Sequence, residues 1–406
     1  MPFVLFVAPN FTENALRFIR AFAGLPDVTL GLLSEEPMHL LPQELQGQIS
    51  IHRQLKSVYD PEALTGIAQI LAQEFGKVHR IIGAVEQLQV PIAQVRERLG
   101  IEGMHVETAL NFRDKARMKS LLREAGLPCA RHRLVSSITE ARAFAQEVGF
   151  PLIVKPPDGA GSLSTFKVRS SATLDQALKL LNVNPEQRVL LEEFVVGSEH
   201  SFDTFSLNGQ HVFHSLTHYY PNPLEVMQEP WIQWQVVLPK EVDARQYDDI
   251  RHCAFKTLDV LGMQTGFSHL EWFRRKDGSI AISEVAARPP GAQFPTLISR
   301  AHNFDALAAW ARLMVFGKFD PPKRKYAAGA AYLRGQGQGR VLAIHGLDLL
   351  EKEIGHLVTD VKLPQIGQEA MPSYEGEGYI IIRHPKTAVV RQALQRIVSV
   401  ARVQLG

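Results

Sequence analysis

The stretch that most constrains how this chain can fold is Gly266 to Gln293, GFSHLEWFRRKDGSIAISEVAARPPGAQ, which reads as two apolar-rich strands joined at Asp277-Gly278. An Asp-Gly pair between such runs suits the positive φ angles of a two-residue type I′ hairpin turn. With a turn that tight, Lys276 pairs with Ser279, and counting outward sets Glu271 directly across from Glu284. Two carboxylates then share one face.

Like charges directly opposite in a ladder are destabilising, so this pair calls for a proton, a cationic side chain or a hard cation between them. Mg²⁺ is the sharpest candidate, with Mn²⁺ as its substitute, because magnesium favours one or two carboxylates together with substrate phosphates. The plain alternative is a hairpin with two solvent-facing glutamates. Arg288 and the Pro289-Pro290-Gly291 that follow tell against it, since they end the second strand abruptly and leave a cation beside the carboxylates to meet a second anion. The same register sets His269 against Ala286 on the glutamate face, where a structural histidine held by hydrogen bonds competes with a ligand or substrate contact.

At 406 residues the chain has room for two or three domains at roughly 100 to 200 residues each. Hydrophobic residues make up 45%, charged residues 21%, and the formal net charge is +2, so there is no basic excess of the kind nucleic acid attracts. Cys129 and Cys253 stand far apart, form no redox or metal motif, and read as small buried apolar residues of a reducing compartment. The opening MPFVLFVAP lacks a basic region and is stopped by Pro9, so it reads as a first strand rather than a signal peptide. No run approaches the ~18 uninterrupted apolar residues of a spanning helix. The expectation is a cytoplasmic protein with no membrane partner.

Phe3 to Val7, the helical pattern from Leu16 to Ala23 and the run Val28 to Leu33 give strand, helix, strand, the start of a parallel sheet with no dinucleotide fingerprint. Asn111 to Gly126 reads as one amphipathic helix with Arg113, Asp114 and Lys115 in its first turn, and Ser137 to Val148 as another with Thr139 as its N-cap. The buried-type strand Pro151 to Pro156 ends in Lys155, which is costly there unless paired. The loop behind it, with Asp158, Gly159, Ala160, Gly161 and Ser162, offers backbone amides suited to phosphate oxygens, although an ordinary hairpin turn has the same look.

Val189 to Gly197 is a strand whose end, Glu192, Glu193, Phe194 and Val195 with Glu199 behind, could frame a purine and hold ribose hydroxyls; an edge strand leaving a sheet reads alike. His218 to Trp234 reads as a loop over a site or a long surface connection, and Thr296 to Phe316 as one continuous helix. Asp320 to Lys325 is a linker by composition, and the remainder shows no nucleophile or metal signature of its own.

Taken in order and spacing, these signals resemble the ATP-grasp superfamily from about Asn111 to Arg312, in its carboxylate-amine (amino-acid) ligase branch. The resemblance implies an α/β and α+β chain: an N-terminal parallel-sheet domain over 1–108, a two-lobed ATP-grasp fold over 109–320 with its small lobe at about 116–196, and a small C-terminal α+β module over 321–406. It implies ATP as the nucleotide, with Lys115 and Lys155 on its phosphates and the Asp158–Ser162 loop covering them. Glu192 to Val195 would frame the adenine and Glu199 the ribose, Glu271 and Glu284 would hold magnesium, and Arg288 would take the substrate or acyl phosphate. A histidine in the position of His269 recurs in that branch.

The implied activity is ADP-forming ligation of a small carboxylate to an amine, with a homodimer as an option for assembly. A carboxylating enzyme of the biotin-carboxylase or purine-pathway kind is the alternative among enzymes. One position departs from the pattern: Ala286 stands where the family commonly has Asn two residues after the second acid, which fits either a reduced metal shell or a degenerate ATP-binding protein.

Overall fold

The run Phe3–Val7 is buried along its whole length because parallel neighbours flank it, Thr29–Ser34 on one side and Val78–Gly83 on the other, with Ile51–Gln54 completing a four-stranded parallel sheet. This is the α/β opening expected. The structure, a computed structural model, describes every residue except 160–164, 230 and 372. Thr12 caps the helix Glu13–Ala23, whose Phe18 and Phe22 pack edge-on against Trp310, at 5.6 and 5.3 Å between ring centroids. That contact ties the first sheet to the rest of the molecule.

The helix expected over Asn111 to Gly126 is two helices. Val106–Arg113 stops at Asp114, which turns extended, and the Asp114 carboxylate accepts from the Ala116 and Arg117 amides to start Lys115–Glu124. A short acid that caps a helix better than it continues one explains the break. For the same reason the cap of Ile138–Val148 is Ser137 rather than Thr139. The continuous helix expected from Thr296 is also divided, into Phe294–His302 and Ala306–Phe316, with Asn303 at φ 58° and Asp305 capping the second.

Two antiparallel sheets follow. The smaller has the order His132–Val135, Val189–Glu193, Leu152–Lys155, Phe166–Val168. The larger has eight strands: Ile280–Ala286, Gly266–Arg275, Gly197–Leu207, Gln210–Tyr220, Gln235–Leu238, Ala327–Leu333, Gly378–His384 and Val358–Lys362. Three strands of the last segment therefore extend the sheet that carries the hairpin, and a small three-stranded sheet beside the helix Thr387–Val400 completes it.

His218 to Trp234 is not an open loop among its described residues. It finishes the strand Gln210–Tyr220, forms the short helix Pro223–Gln228, and buries Tyr219 and Trp234, which are 3% and 2% exposed. No helix among the described residues is long and apolar enough to cross a membrane.

Glu271 and Glu284 do lie opposite one another, by a route the turn chemistry did not foretell. Of the Asp277-Gly278 pair only Gly278 takes a positive φ, 84°. The Arg275 amide donates to the Ser279 carbonyl and the Gly278 amide to the Arg275 carbonyl, so the connection has three residues and Lys276 does not face Ser279. The Asp277 carboxylate accepts from the Ser279 amide and hydroxyl, which holds Asp277 outside the left-handed region that a type I′ turn needs. This shifts the ladder by one residue. A bulge shifts it back: Trp272 pairs with Ile282 while Glu271 pairs with Glu284, leaving Ser283 as the extra residue.

Candidate active site

The hairpin forms one wall of a cleft of about 170 Å³ between the two antiparallel sheets. Lys115, Lys155, Glu271, Glu284, His269 and Arg288 all line it, as do Gly159, the segment Glu192 to Val195, and Glu199. Asp158 is exposed and lies outside the lining, its Oδ2 4.0 Å from Arg113 Nη2, and Ala160, Gly161 and Ser162 fall outside the described residues.

The break at Asp114 puts Lys115 on the buried first turn of its helix. Its Nζ lies 3.3 Å from Glu284 Oε2 and donates to the Gly159 carbonyl at 2.6 Å, so one ammonium joins the hairpin to the root of the glycine loop. Burial would push the Glu284 carboxyl up, yet Lys115 and Lys155 pull it down to about 2. At Glu199 the balance goes the other way: burial, with Glu271 and Glu284 beside it, outweighs the pull of Lys155 and pushes its carboxyl well above the ordinary range.

Lys155, costly at a strand end unless paired, is paired. Its Nζ lies 3.0 Å from Glu192 Oε2, and the other oxygen of Glu192 lies 3.3 Å from Lys119 Nζ. Burial lowers the Lys155 ammonium, but Glu192 and Glu284 more than offset this and hold it above the ordinary lysine value; Glu192, for its part, is held low by the two lysines against its own burial. The carboxylate of Glu192 is thereby committed to lysines. Phe194, with Lys167 Nζ 3.5 Å from its ring centroid, offers the apolar surface of that segment.

Arg288 is held from the first sheet. Its Nη2 donates to Glu86 Oε2 at 2.8 Å, where Glu86 follows the end of Val78–Gly83, and Arg113 Nη1 lies 3.6 Å from the other oxygen. His269 stands across from Ala286, with Nδ1 2.6 Å from Asp203 Oδ1 and Nε2 3.4 Å from Glu271 Oε1. Burial lowers its imidazole, but Asp203 and Glu271 raise it further, to about 9.

The donor set suits magnesium. Two carboxylates face one another across a ladder and supply hard oxygen ligands, while among the described residues no group of three or more His, Cys, Asp or Glu converges on a metal position. A pair of acids that must complete its shell with phosphate oxygens is the habit of Mg²⁺ rather than of an all-protein cage.

Sequence reasoning missed Lys119, Glu86 and Tyr374. Lys119 is 1% exposed and repeats Lys115 at i+4, a spacing that puts both ammoniums on one helix face and was there to be read. Glu86 meets Arg288 across 202 residues of sequence, and no local pattern signals that. Tyr374 lines the cleft from the last segment, and its ring sits 4.9 Å from that of Trp234.

A family model described as the ATP-grasp domain matches residues 120–302. Among curated proteins, the chain is 27% identical over 236 residues to the L-arginine-specific L-amino acid ligase of Bacillus subtilis, covering 56% of this chain and 55% of that protein. It is also 27% identical over 253 residues to an alanine–anticapsin ligase of Bacillus subtilis, covering 57% and 53%. The chain thus spans about half the length of the curated relatives it matches. Among solved structures, the L-amino acid ligase from Bacillus licheniformis superposes with a TM-score of 0.80 at 18% identity, over 100% of this chain and 99% of that one. The N5-carboxyaminoimidazole ribonucleotide synthetase from Thermotoga maritima does so at 0.71 and 17%, over 100% of both. At these identities the likeness is one of fold.

Proposed function

We propose, for a chain that carries an ATP-grasp domain through residues 120–302, an ADP-forming ligase that activates a carboxylate as its acyl phosphate and transfers the acyl group to an amine. The observation that carries this reading is one cleft in which three lysines, two facing glutamates and an arginine anchored from another sheet converge. The cleft offers charge for phosphoryl transfer and needs no covalent nucleophile from the protein.

In the first step a carboxylate oxygen of the substrate attacks the γ-phosphorus of ATP, the bond to the β–γ bridging oxygen breaks, and ADP leaves with its electron pair. In the second the amine nitrogen attacks the acyl carbon, phosphate leaves, and the nitrogen gives up a proton. Lys115 and Lys155 would neutralise the phosphates, with the Asp158–Ser162 loop over them. Glu192 to Val195 would border the adenine and Glu199 would hold the ribose. Arg288, fixed by Glu86, would hold the carboxylate in line, and His269 would border the same substrate. Glu271 and Glu284 would hold magnesium, or manganese in its place, which would supply charge neutralisation for the phosphates.

The reading carries with it small-molecule partners, a cytoplasmic location, a homodimer as the assembly to test, and the division at 1–108, 109–320 and 321–406. A screen of carboxylates, bicarbonate and amines for phosphate release from Mg-ATP tests it, with hydroxylamine in place of the amine to trap the acyl phosphate as a hydroxamate. Ala286 favours a second reading, an ATP-binding protein without turnover, which would bind Mg-ATP and release no phosphate with any acid. A response to bicarbonate alone would point instead to a carboxylating enzyme.

A further inference from the structure

Beside His269 and Arg288 the cleft is walled by aromatic rings. Phe294, its centroid 5.7 Å from that of His269, stacks on Tyr219 at 5.8 Å. Tyr219 meets Trp234 edge-on at 5.5 Å, and Trp234 meets Tyr374 edge-on at 4.9 Å. Separate elements bring these rings together: the strand Gln210–Tyr220, the segment entering Gln235–Leu238, the first turn of Phe294–His302, and the last segment. All of them line the cleft. Core packing alone does not account for the wall, because the Tyr219 hydroxyl is buried with no hydrogen-bond partner, in a residue only 3% exposed. The Ser201 hydroxyl beside it donates to Asp203 Oδ2 at 3.1 Å. A buried hydroxyl is costly to leave unpaired, so one that borders a cleft marks a place for a ligand to complete the bond.

The charged groups around this wall are already committed. Asp203 is engaged by His269 and Ser201, Glu271 by His269, and Arg288 by Glu86; in the ligase reading Glu271 also holds the metal and Glu199 the ribose. Elsewhere in the lining Lys115, Lys119 and Lys155 pair with Glu284 and Glu192, and Glu193 pairs with Arg131 and Arg275. Glu375, next to Tyr374, lies outside the lining, and residues 160–164, 230 and 372 carry no charged side chain. The Trp234 indole nitrogen donates to the Pro221 carbonyl at 3.1 Å, so it offers a ligand no donor. A cationic substituent on the substrate would find no uncommitted carboxylate here among the described residues. An anionic one would meet Glu271 and Glu199, with Arg288 already taken by the reacting carboxylate. A neutral apolar substituent gives up no hydrogen bond with water and gains the faces of the rings.

We infer that the carboxylate substrate carries a neutral apolar group, aromatic or branched aliphatic, which packs against Tyr219, Trp234, Phe294 and Tyr374, and that the Tyr219 hydroxyl finds its missing partner on that substrate. The inference rests on the ligase reading and names its substrate class.

Phenylalanine, leucine, alanine, lysine, glutamate and the amine-free 3-phenylpropanoate test it. Each is titrated by calorimetry into the full chain saturated with magnesium and adenylyl imidodiphosphate, and each is assayed for phosphate release from Mg-ATP with hydroxylamine as acceptor. An apolar acid of this set is expected to bind at least tenfold more tightly than alanine, lysine or glutamate and to turn over best. Preference for one of those three, or none at all, would overturn the inference and leave the ligase reading standing; a preference for lysine would mean that the rings cage a cation instead. Tight binding of the apolar acids without phosphate release would defeat the ligase reading and keep the pocket, and neither binding nor release with any acid would overturn both. Tyr374→Ala is expected to weaken the apolar acid at least tenfold more than it weakens alanine; an equal loss for both would show a merely structural ring. Tyr219→Phe keeps the ring and is expected to weaken the apolar acid severalfold at an unchanged or higher melting temperature. A lower melting temperature with unchanged acid affinity would assign that hydroxyl to the fold.

Discussion

Lys155 Nζ and Glu192 Oε2 lie 3.0 Å apart in a buried ion pair at the end of a strand, with Lys119 closing on the same carboxylate from a neighbouring helix. Removing one partner of a buried pair costs about 3–5 kcal/mol when the other is left bare. Here Lys119 still covers Glu192, so Lys155→Ala should lose only ~1–3 kcal/mol of stability in a urea melt. Calorimetry with a non-hydrolysable ATP analogue should show affinity lower by at least about tenfold, or ~1.4 kcal/mol. Unchanged affinity in the folded variant would remove Lys155 from the nucleotide site.

Lys119 has a second task. Its Nζ donates at 2.7 Å to the carbonyl of Ser283, the extra residue of the bulge that sets Glu284 opposite Glu271. Lys119→Met should therefore disturb the hairpin as well as Glu192, at a cost of a few kcal/mol in stability, since a buried carbonyl and half a carboxylate lose their donor. Hydrogen exchange at residues 280–286 should quicken in the variant. Exchange rates there equal to wild type would mean that the bulge does not depend on this lysine.

How far the sequence could be read follows from the range of each interaction. The parallel opening, the hairpin and the facing acids depend on neighbours a few residues apart, and apolar spacing reports these. Asp114 and Ser137 show the limit of periodicity: a capping side chain decides where a helix starts, and the apolar stripe runs past it. The hairpin is more instructive, because the register at the acids came from two opposite one-residue shifts, at Gly278 and Ser283, that no strand pattern displays. Glu86, Arg288 and Tyr374 meet only through the fold. His218 to Trp234 reads as a loop over a site or a surface connection and is neither among its described residues, because composition does not distinguish a core tryptophan such as Trp234 from one that awaits a ligand.

Stability should peak near neutral pH. Burial, with lesser help from neighbouring cations, lowers His200 and His302 to about 3 and His214 and His218 to about 4, against 6.5 unfolded. A depressed folded value means that the contribution is full above pH 6.5 and is lost as pH falls toward 4 and 3, because the unfolded chain binds protons that the folded one refuses. Each proton is worth ~1.4 kcal/mol per pH unit, so the four together should remove several kcal/mol between about pH 6.5 and 5. His269 runs the other way: raised to about 9, it stabilises fully below 6.5 and loses that contribution as pH rises through 9. Urea melts of metal-free protein from pH 5 to 9.5 should trace a maximum between these limbs; a flat profile below pH 6.5 would contradict the buried neutral histidines.

The charge on Glu284 separates a ligase from a binder. Its carboxylate faces Glu271 across the ladder, and Lys115 at 3.3 Å helps keep it ionised, so Glu284→Gln removes one anionic oxygen ligand while keeping the shape of the side chain. Lys115 and Lys155 remain to meet the phosphates of the bound nucleotide, and affinity for ATP should stay within about tenfold of wild type. The step that moves negative charge onto the departing ADP should suffer far more, by on the order of a hundredfold or greater in turnover, which is a loss of about 3 kcal/mol of transition-state stabilisation. With a carboxylate substrate and hydroxylamine, wild type should accumulate hydroxamate and the variant almost none. If the variant turns over at the wild-type rate, Glu284 is not at the reacting phosphates. If wild type binds Mg-ATP but yields neither phosphate nor hydroxamate across a broad set of acids and amines, the ligase reading fails, and Ala286 is then best understood as a mark of a site that has given up catalysis and kept the nucleotide.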